Sequence, residues 1–310
     1  MSTRSQIFYQ HQELFEKQRV VDELVDDLAL TFGVHRDALN IVASAKGLIF
    51  GPLTIRFNDD TTAIASVGDV GTPVPSIRSI STVSCQRARW ILVIEKDATF
   101  RTLTSSRYHE TSAIGPGLLV TAKGYPDVMT QSFLQYMHEH SPRLPILVLT
   151  DFDPDGLNIF RCYRFGADAG AADPTAQNPG VRHLGVNARH IQDLASAETD
   201  VPESSQFTQQ GSSQSSSQGI ASRTAMSSNH CRDPVTLLTS RDRRLASSIL
   251  VRLSSTPTDD PELDQLKREL QVMLMLGVKA EIQWLDDAGD LAEWLDENIA
   301  QALSLFAAQI

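Results

Sequence analysis

Apolar and polar positions follow helical spacing first and strand spacing afterwards in the opening part of the chain. Between residues 14 and 32 apolar side chains recur every three or four positions, with acidic residues on the opposite face, which predicts one amphipathic helix. Short β-prone runs at 39–43, 48–50 and 53–57 are separated by glycine-containing turns and predict a hairpin or small sheet. A helix followed by a small sheet is the order of a winged-helix (α+β) domain, which we predict over residues 1–58.

A different pattern begins later in the chain. Three runs are apolar at nearly every position, and helical patterns separate them; the runs lie at 90–94, 117–121 and 145–150. Strands of this kind are typical of a parallel sheet that helices cover on both faces. The pattern therefore predicts an α/β domain over residues 85–310, which ends in helices.

Two stretches lack these patterns. Residues 59–84 are rich in Thr, Ser, Gly and Pro, which predicts a linker between the two domains. Residues 203–218 are almost entirely polar, dominated by Ser and Gln, which predicts a disordered insert at about 200–230.

Composition narrows the class of protein. The chain has 310 residues, 41% of them hydrophobic, which suits two folded domains. Its net charge of -11 argues against polyanion binding by the whole surface, but not against a local basic groove or a metal that recruits phosphate. The three cysteines are far apart and cannot build a zinc finger. Since no stretch approaches the roughly 18 apolar residues of a membrane span, we expect no membrane partner.

Carboxylates follow two of the predicted strands directly. Glu95 comes after the run that ends at Ile94, and Asp151 and Asp153 come after the run that ends at Thr150. Ligands of open α/β sheets bind at the carboxyl ends of the strands, so we expect these side chains to share one edge of the sheet. Carboxylates and waters are the ligands that Mg²⁺ prefers, which makes this edge a candidate magnesium site.

Other interpretations of the same acids stay open at this point. Asp153 or Asp155 would also suit the N-cap of a following helix. The acids after the apolar strand also resemble the signature of an aspartyl phosphatase, although Asp155 stands where that signature has Thr or Val. A calcium-binding EF-hand loop is excluded because its twelfth position is Cys162 and a strand precedes it.

Several blocks of the chain together resemble one family, that of the meiotic double-strand-break DNA transesterases, which is related to the A subunit of topoisomerase VI. The blocks are Ile7-Phe8-Tyr9, Ala45-Lys46-Gly47-Leu48-Ile49, Val93-Ile94-Glu95-Lys96-Asp97-Ala98-Thr99-Phe100, Lys123-Gly124-Tyr125-Pro126-Asp127, Thr150-Asp151-Phe152-Asp153-Pro154-Asp155-Gly156, Thr239-Ser240-Arg241-Asp242-Arg243 and the stretch from Leu276 to Gln283. The resemblance implies a Toprim-type parallel-sheet domain preceded by a winged-helix domain that carries a tyrosine nucleophile.

The resemblance also implies an activity and its partners. The family cuts double-stranded DNA by attack of a tyrosine hydroxyl, which stays joined to the 5′ end; Tyr9 matches that nucleophile, and Glu95, Asp151 and Asp153 match the Mg²⁺ ligands. Such an enzyme works in the nucleus as a homodimer, together with other recombination proteins and an ATPase-type B subunit. Any ATP dependence belongs to a partner, since the chain has no GxxxxGK(S/T) loop.

Basic residues within or beside these blocks are candidates for contact with the DNA backbone. We expect this role for Lys46, Lys123, Arg241 and Arg243, which all lie in matched blocks, and for Lys123 above the others.

The start of the chain departs from the family pattern. Only eight residues precede Tyr9, where the family has the first helices of its winged-helix domain. We therefore expect a chain that is truncated at its N-terminus, with a partial winged helix, weak dimerisation and poor cleavage. A second hypothesis follows, in which the chain is catalytically impaired and acts as a dimerising scaffold for partner proteins.

Overall fold

The structure is a computed structural model of the 310-residue chain. It describes residues 2–3, 12–15, 18–33, 41–42, 46–68, 70–85, 87–166, 178–191, 235–254 and 260–307. The predicted nucleophile Tyr9 and the predicted insert at 200–230 lie outside these ranges.

The described residues form strands and helices along most of their length. The strands are β1 (Ser2–Thr3), β2 (Ile41–Val42), β3 (Leu48–Phe50), β4 (Thr54–Phe57), β5 (Thr62–Ile64), β6 (Thr72–Pro73), β7 (Ile80–Ser84), β8 (Ile91–Ile94), β9 (Leu118–Thr121), β10 (Ile146–Thr150), β11 (Val181–Gly185), β12 (Val235–Leu237) and β13 (Val278–Ala280). The helices are α1 (Gln12–Phe15), α2 (Gln18–Phe32), α3 (Asp97–Ser105), α4 (Tyr108–Thr111), α5 (Val128–His140), α6 (Pro154–Phe165), α7 (Ser240–Ser254), α8 (Pro261–Leu276), α9 (Gln283–Ala288) and α10 (Leu291–Ala307).

A six-stranded sheet in the order β11-β10-β8-β9-β3-β6 forms the centre of the fold. The strands β11, β10, β8 and β9 are parallel, whereas β3 is antiparallel to its neighbours β9 and β6. Every residue of β8, β9 and β10 is buried, and this is why these strands are apolar on both faces. The predicted α/β fold with a parallel sheet is confirmed.

Helices pack on this sheet through apolar faces. Helix α3 contacts β8 and β9, α6 contacts β10 and β11, and α10 contacts β11. The last helix is also tied to the region of α4 by Asp296, whose carboxylate accepts hydrogen bonds from Tyr108 Oη at 2.7 Å, Ser112 Oγ at 2.6 Å and the amide of Ala113 at 3.1 Å. The C-terminal helix is therefore part of the same core.

The segment around β13 returns the chain to the end of β10. β13 pairs with β12, and Ala280 also pairs with Phe152, with each amide donating to the other residue's carbonyl at 2.9 and 3.0 Å. Lys279 Nζ lies 3.0 Å from Asp242 Oδ2 near the start of α7. These contacts hold residues 278–282 against the loop in which Asp151 and Asp153 lie.

The first predicted helix is present as two helices. The prediction covered residues 14–32, and the structure has α1 and α2 there. Within α2, Val21 and Val25 are buried one turn apart, which is the pattern that the helical spacing predicted.

The predicted linker at residues 59–84 is corrected by the structure. It contains β5, β6 and β7 and a 3₁₀ turn at Ile77–Ser79, and β4, β5 and β7 form a three-stranded sheet. The strand β3 was assigned to the first domain, yet it pairs with β9 in the central sheet. The composition misled because β5 and β7 bury only Ile80 among their residues, so Thr and Ser fill most of their exposed positions.

Within the described residues, no helix is long and apolar enough to cross a membrane.

Candidate metal and DNA site

The carboxylates predicted to share one sheet edge come from neighbouring strands. β8 and β10 are paired in parallel with Ile94 opposite Leu149, so Glu95 and Asp151 leave the sheet at the same level. The amide of Glu95 donates to the carbonyl of Leu149 at 3.1 Å, and the amide of Asp151 donates to Glu95 Oε2 at 3.1 Å. The register of the sheet thus places the Glu95 carboxylate against the first residue of the loop after β10.

Asp153 begins the helix that follows this loop. It is the N-cap of α6, where its Oδ1 accepts the amide proton of Gly156 at 2.6 Å, and Pro154 occupies the first helical position. The capping role considered from the sequence is therefore real for Asp153. It leaves the second carboxylate oxygen of Asp153 without a hydrogen bond to any described residue.

Asp151 is the most enclosed of the three acids, with 3% of its surface exposed. Its Oδ1 accepts the amide proton of Ile282 at 2.8 Å, and its Oδ2 lies 2.8 Å from Lys96 Nζ. Both oxygens of this carboxylate are therefore held by the protein itself.

Lys96 and Glu281 belong to the site, although the sequence did not single them out. Lys96 Nζ lies 2.8 Å from Glu281 Oε2 as well as 2.8 Å from Asp151 Oδ2, so one ammonium bridges two carboxylates. The available signal was position: Lys96 directly follows Glu95, and Glu281 precedes the residue whose amide binds Asp151. The link between them depends on the return of β13 to the sheet, which no local pattern predicts.

Burial and mutual repulsion raise the pKa values of the acids. Burial, and then the charges of Asp151 and Asp153, raise the pKa of Glu95 to about 8. Burial also raises the pKa of Asp153 to about 6, with Asp151 and Asp155 adding to the shift, although the amide of Gly156 opposes it. Burial raises the pKa of Asp151 too, against the attraction of Lys96. Burial is therefore the main cause of the raised pKa values, and repulsion between the acids adds to it at Glu95 and Asp153.

The pKa of Lys96 is raised as well, and for an ammonium this favours the charged form. Burial alone would lower the pKa of its ammonium, but the ion pairs with Asp151 and Glu281 outweigh burial and raise that pKa to about 12. Lys96 is therefore a permanent positive charge at the site.

The donor set fits a hard divalent cation in its chemistry, since it consists of carboxylate oxygens. Their present positions do not converge: within the described ranges, no three acidic, histidine or cysteine side chains are grouped to hold a metal ion. The reason is that Asp151 is held by Lys96 and Ile282, while Asp153 caps α6. Any cation bound here would have to compete with those contacts.

A connected rim of polar residues borders the acids. Tyr125 Oη donates to Asp155 Oδ1 at 2.9 Å, and Arg241 Nη1 lies 2.8 Å from Asp155 Oδ2. Lys46 Nζ reaches the carbonyl of Tyr125 at 3.4 Å. Two of the predicted DNA contacts, Lys46 and Arg241, are thus joined through Tyr125 and Asp155 on one side of the site.

The other two predicted DNA contacts lie elsewhere. Lys123 has a left-handed backbone, with φ of 56°, and its Nζ is 3.5 Å from Asp97 Oδ1 at the start of α3. Arg243 turns to the opposite face of α7 and donates to the carbonyl of Leu274 near the end of α8 at 3.4 Å. The structure therefore separates Arg241 from Arg243, which the sequence treated as equivalent.

Gly156 allows α6 to begin directly against the acids. A Cβ at this position would lie 2.6 Å from the carbonyl oxygen of Asp151 and 3.2 Å from Glu95 Oε2. We predict that Gly156→Ala lowers the free energy of unfolding by about 1–3 kcal/mol, because this overpacking must push the loop or Glu95 aside. Urea denaturation provides the measurement.

The direction of the change in the free energy of unfolding makes this prediction specific. In an unobstructed helix, alanine is more stable than glycine by about 0.5–1 kcal/mol. A Gly156→Ala variant that is more stable than the wild type would show that the loop and α6 do not touch as described.

Comparison with known protein families connects this geometry to a group of DNA-processing proteins. Residues 90–295 match the family model for the Toprim domain of Spo11 and of the topoisomerase 6 A subunit, and residues 1–41 match the model described as Type IIB DNA topoisomerase. The first match covers the central parallel strands, all three acids and the returning segment around β13.

Individual relatives agree with the family models. The chain is 38% identical to the Schizosaccharomyces pombe meiotic recombination protein rec12 over 183 residues, which are 59% of this chain and 50% of the relative. It is 31% identical to the Oryza sativa subsp. indica meiotic recombination protein SPO11-1 over 288 residues, 91% of this chain and 64% of the relative. It is 33% identical to the A subunit of Arabidopsis thaliana DNA topoisomerase 6 over 186 residues, 59% of this chain and 42% of the relative.

These matches span between 42% and 64% of the relatives' own lengths. The family itself rests on the Toprim match, which extends over more than half of the chain and contains the carboxylates of the site. This chain belongs to the family that comprises Spo11 and the topoisomerase 6 A subunit.

Proposed function

We propose that the protein is a magnesium-dependent, topoisomerase-like DNA transesterase that forms meiotic double-strand breaks in the nucleus. The observation that carries this proposal is the meeting of Glu95 and Asp151 at the ends of paired parallel strands, in a chain of this family. The names of the relatives, which are meiotic recombination proteins and part of a DNA topoisomerase, support the proposed activity on DNA.

Tyr9 is the proposed nucleophile. Its hydroxyl oxygen would attack a backbone phosphorus, the bond from phosphorus to the 3′ oxygen would break, and the phenolic proton would leave while the 3′ oxygen gains one. The products are a tyrosine joined to the 5′ phosphate and a free 3′ hydroxyl. Because a phenol has a pKa near 10, this step needs positive charge near the phosphate oxygens. A bound Mg²⁺ supplies such charge.

Glu95, Asp151 and Asp153 are the proposed ligands of that ion. Support comes from the surroundings of Glu95: burial, and then repulsion by the charges of Asp151 and Asp153, raise its pKa to about 8. A divalent cation would relieve this repulsion and keep the carboxylates ionised at neutral pH.

Duplex DNA is the proposed substrate, and the rim of Lys46 and Arg241 is its proposed contact surface next to the acids. Lys123, on α3's side of the sheet edge, and Arg243 are proposed as more peripheral contacts. We further propose that two copies act as a homodimer, because both strands of the duplex must be cut. An ATPase-type B subunit is the other proposed partner.

The aspartyl phosphatase hypothesis is not carried forward. Its signature has Thr or Val at the position where this chain has Asp155. The family match over residues 90–295 points to a different chemistry.

Replacing the nucleophile is the direct test of the reaction. We predict that Tyr9→Phe abolishes covalent attachment to DNA, because it removes the attacking oxygen, while Mg²⁺ and DNA binding persist. The measurement is gel detection of protein joined to 5′-labelled DNA ends, with Tyr136→Phe on α5 as the matched control. An adduct in the Tyr9→Phe variant would refute the assignment. If the wild type binds Mg²⁺ and DNA but forms no adduct, the scaffold hypothesis is favoured.

Loss of one ligand charge tests the metal assignment. We predict that Asp153→Asn weakens Mg²⁺ binding at least roughly tenfold. Asparagine is as good an N-cap as aspartate, so α6 should remain folded. Calorimetric titration with Mg²⁺ measures the effect, and Asp264→Asn on the exposed surface of α8 is the control. Equal affinity in the two variants would remove Asp153 from the ligand set.

Two arginines on one helix test the DNA surface. We predict that Arg241→Gln weakens binding of duplex DNA and lowers the slope of log K against log salt by about one, because one phosphate contact is lost. Arg243→Gln should change this slope less, since Arg243 faces the end of α8. Fluorescence anisotropy at several salt concentrations provides the slopes. If Arg243→Gln has the larger effect, the DNA path follows the other face of α7.

A further inference from the structure

Lys96 lies between an internal acid and a surface acid of the site. Its side chain is 28% exposed, whereas that of Asp151 is 4% exposed and that of Glu281 is 62% exposed. Both carboxylates are 2.8 Å from the same ammonium. Lys96 therefore connects the buried end of β10 to the solvent side of the segment that follows β13.

This position makes Lys96 a direct competitor of any cation at Asp151. The other oxygen of Asp151 is held by the amide of Ile282, so Oδ2 is the oxygen that an incoming ion would have to take. An ammonium and a divalent cation repel each other at such short range and cannot share that oxygen.

Glu281 offers Lys96 a second partner at the surface. When the contact with Asp151 is lost, the ion pair with Glu281 can persist, because it lies on the solvent side of the ammonium. Lys96 then keeps its charge beside the acids without occupying the position of the metal.

We propose that Lys96 is a positioning residue that holds Asp151 and the segment 278–282 in place before a divalent cation binds, and that the cation displaces it from Asp151 onto Glu281. This inference rests on the proposed metal site and names the group that the metal must replace. Lys96 would thus stabilise the site in the absence of the cation and weaken the binding of the cation.

The test compares Mg²⁺ affinity and thermal stability in four full-length proteins: wild type, Lys96→Met, Lys96→Arg and Lys279→Met. Lys279 is the charge-matched control, because it lies near Asp153 but pairs with Asp242 instead of a proposed ligand. Calorimetry with Mg²⁺ alone gives the affinities, and melting in EDTA and in Mg²⁺ gives the stabilities.

We expect Lys96→Met to bind Mg²⁺ on the order of tenfold more tightly than the wild type, because a competitor is removed. Its melting temperature in EDTA should fall, since Asp151 is left buried without its cation, and Mg²⁺ should raise that temperature by more than in the wild type. Lys96→Arg keeps the charge and should resemble the wild type. Lys279→Met should change the affinity less than Lys96→Met.

The outcomes separate this inference from the proposed function. If Lys96→Met binds Mg²⁺ more weakly than the wild type, or no more tightly than Lys279→Met, Lys96 is not displaced and the inference is overturned. If the wild type does not bind Mg²⁺, the proposed metal site fails and the inference fails with it.

Discussion

The reciprocal pairing of Phe152 with Ala280 is the contact on which the site depends. These two residues exchange both of their backbone hydrogen bonds, and two residues further on the amide of Ile282 donates to Asp151. Without this pairing, the buried amide and carbonyl of Phe152 would lack partners, which is costly inside a protein. The hydrogen bonds of the loop after β10 are therefore complete only when residues far along the chain have returned to it.

Further contacts hold the segment around β13 and the helix α6 in place. β13 pairs with β12, Lys279 binds the buried Asp242, and Arg164 on α6 lies 2.7 Å from Asp260, the N-cap of α8. Because α6 starts at Asp153, the ion pair at the far end of α6 also braces the helix that begins in the site. The acids consequently sit on a frame that resists their mutual repulsion, and this lets like charges remain close together.

The sequence predicted the parts of this site that depend on local pattern. Apolar runs located β8, β9 and β10, and the position of Glu95, Asp151 and Asp153 directly after two of them indicated a shared edge. Residues 59–84 were mistaken for a linker because one-sided short strands leave little apolar signal. Lys96 and Glu281 were not identified as a pair because only tertiary contacts bring them together. The difference between Arg241 and Arg243 depends on which neighbour each face of α7 meets, and this too is invisible in a linear pattern.

The pairing of the basic residues bears on the proposed binding of DNA by this acidic chain. With a net charge of -11, attraction to DNA must come from the local arrangement of charge. Yet Arg241 is paired with Asp155 and Lys123 with Asp97, so a phosphate would replace a carboxylate partner instead of meeting a free cation. Each exchange gains less free energy than a new ion pair would, because the displaced carboxylate must be solvated again. Under the proposed function, affinity for DNA at this surface is then limited by the carboxylate partners that the basic residues already have.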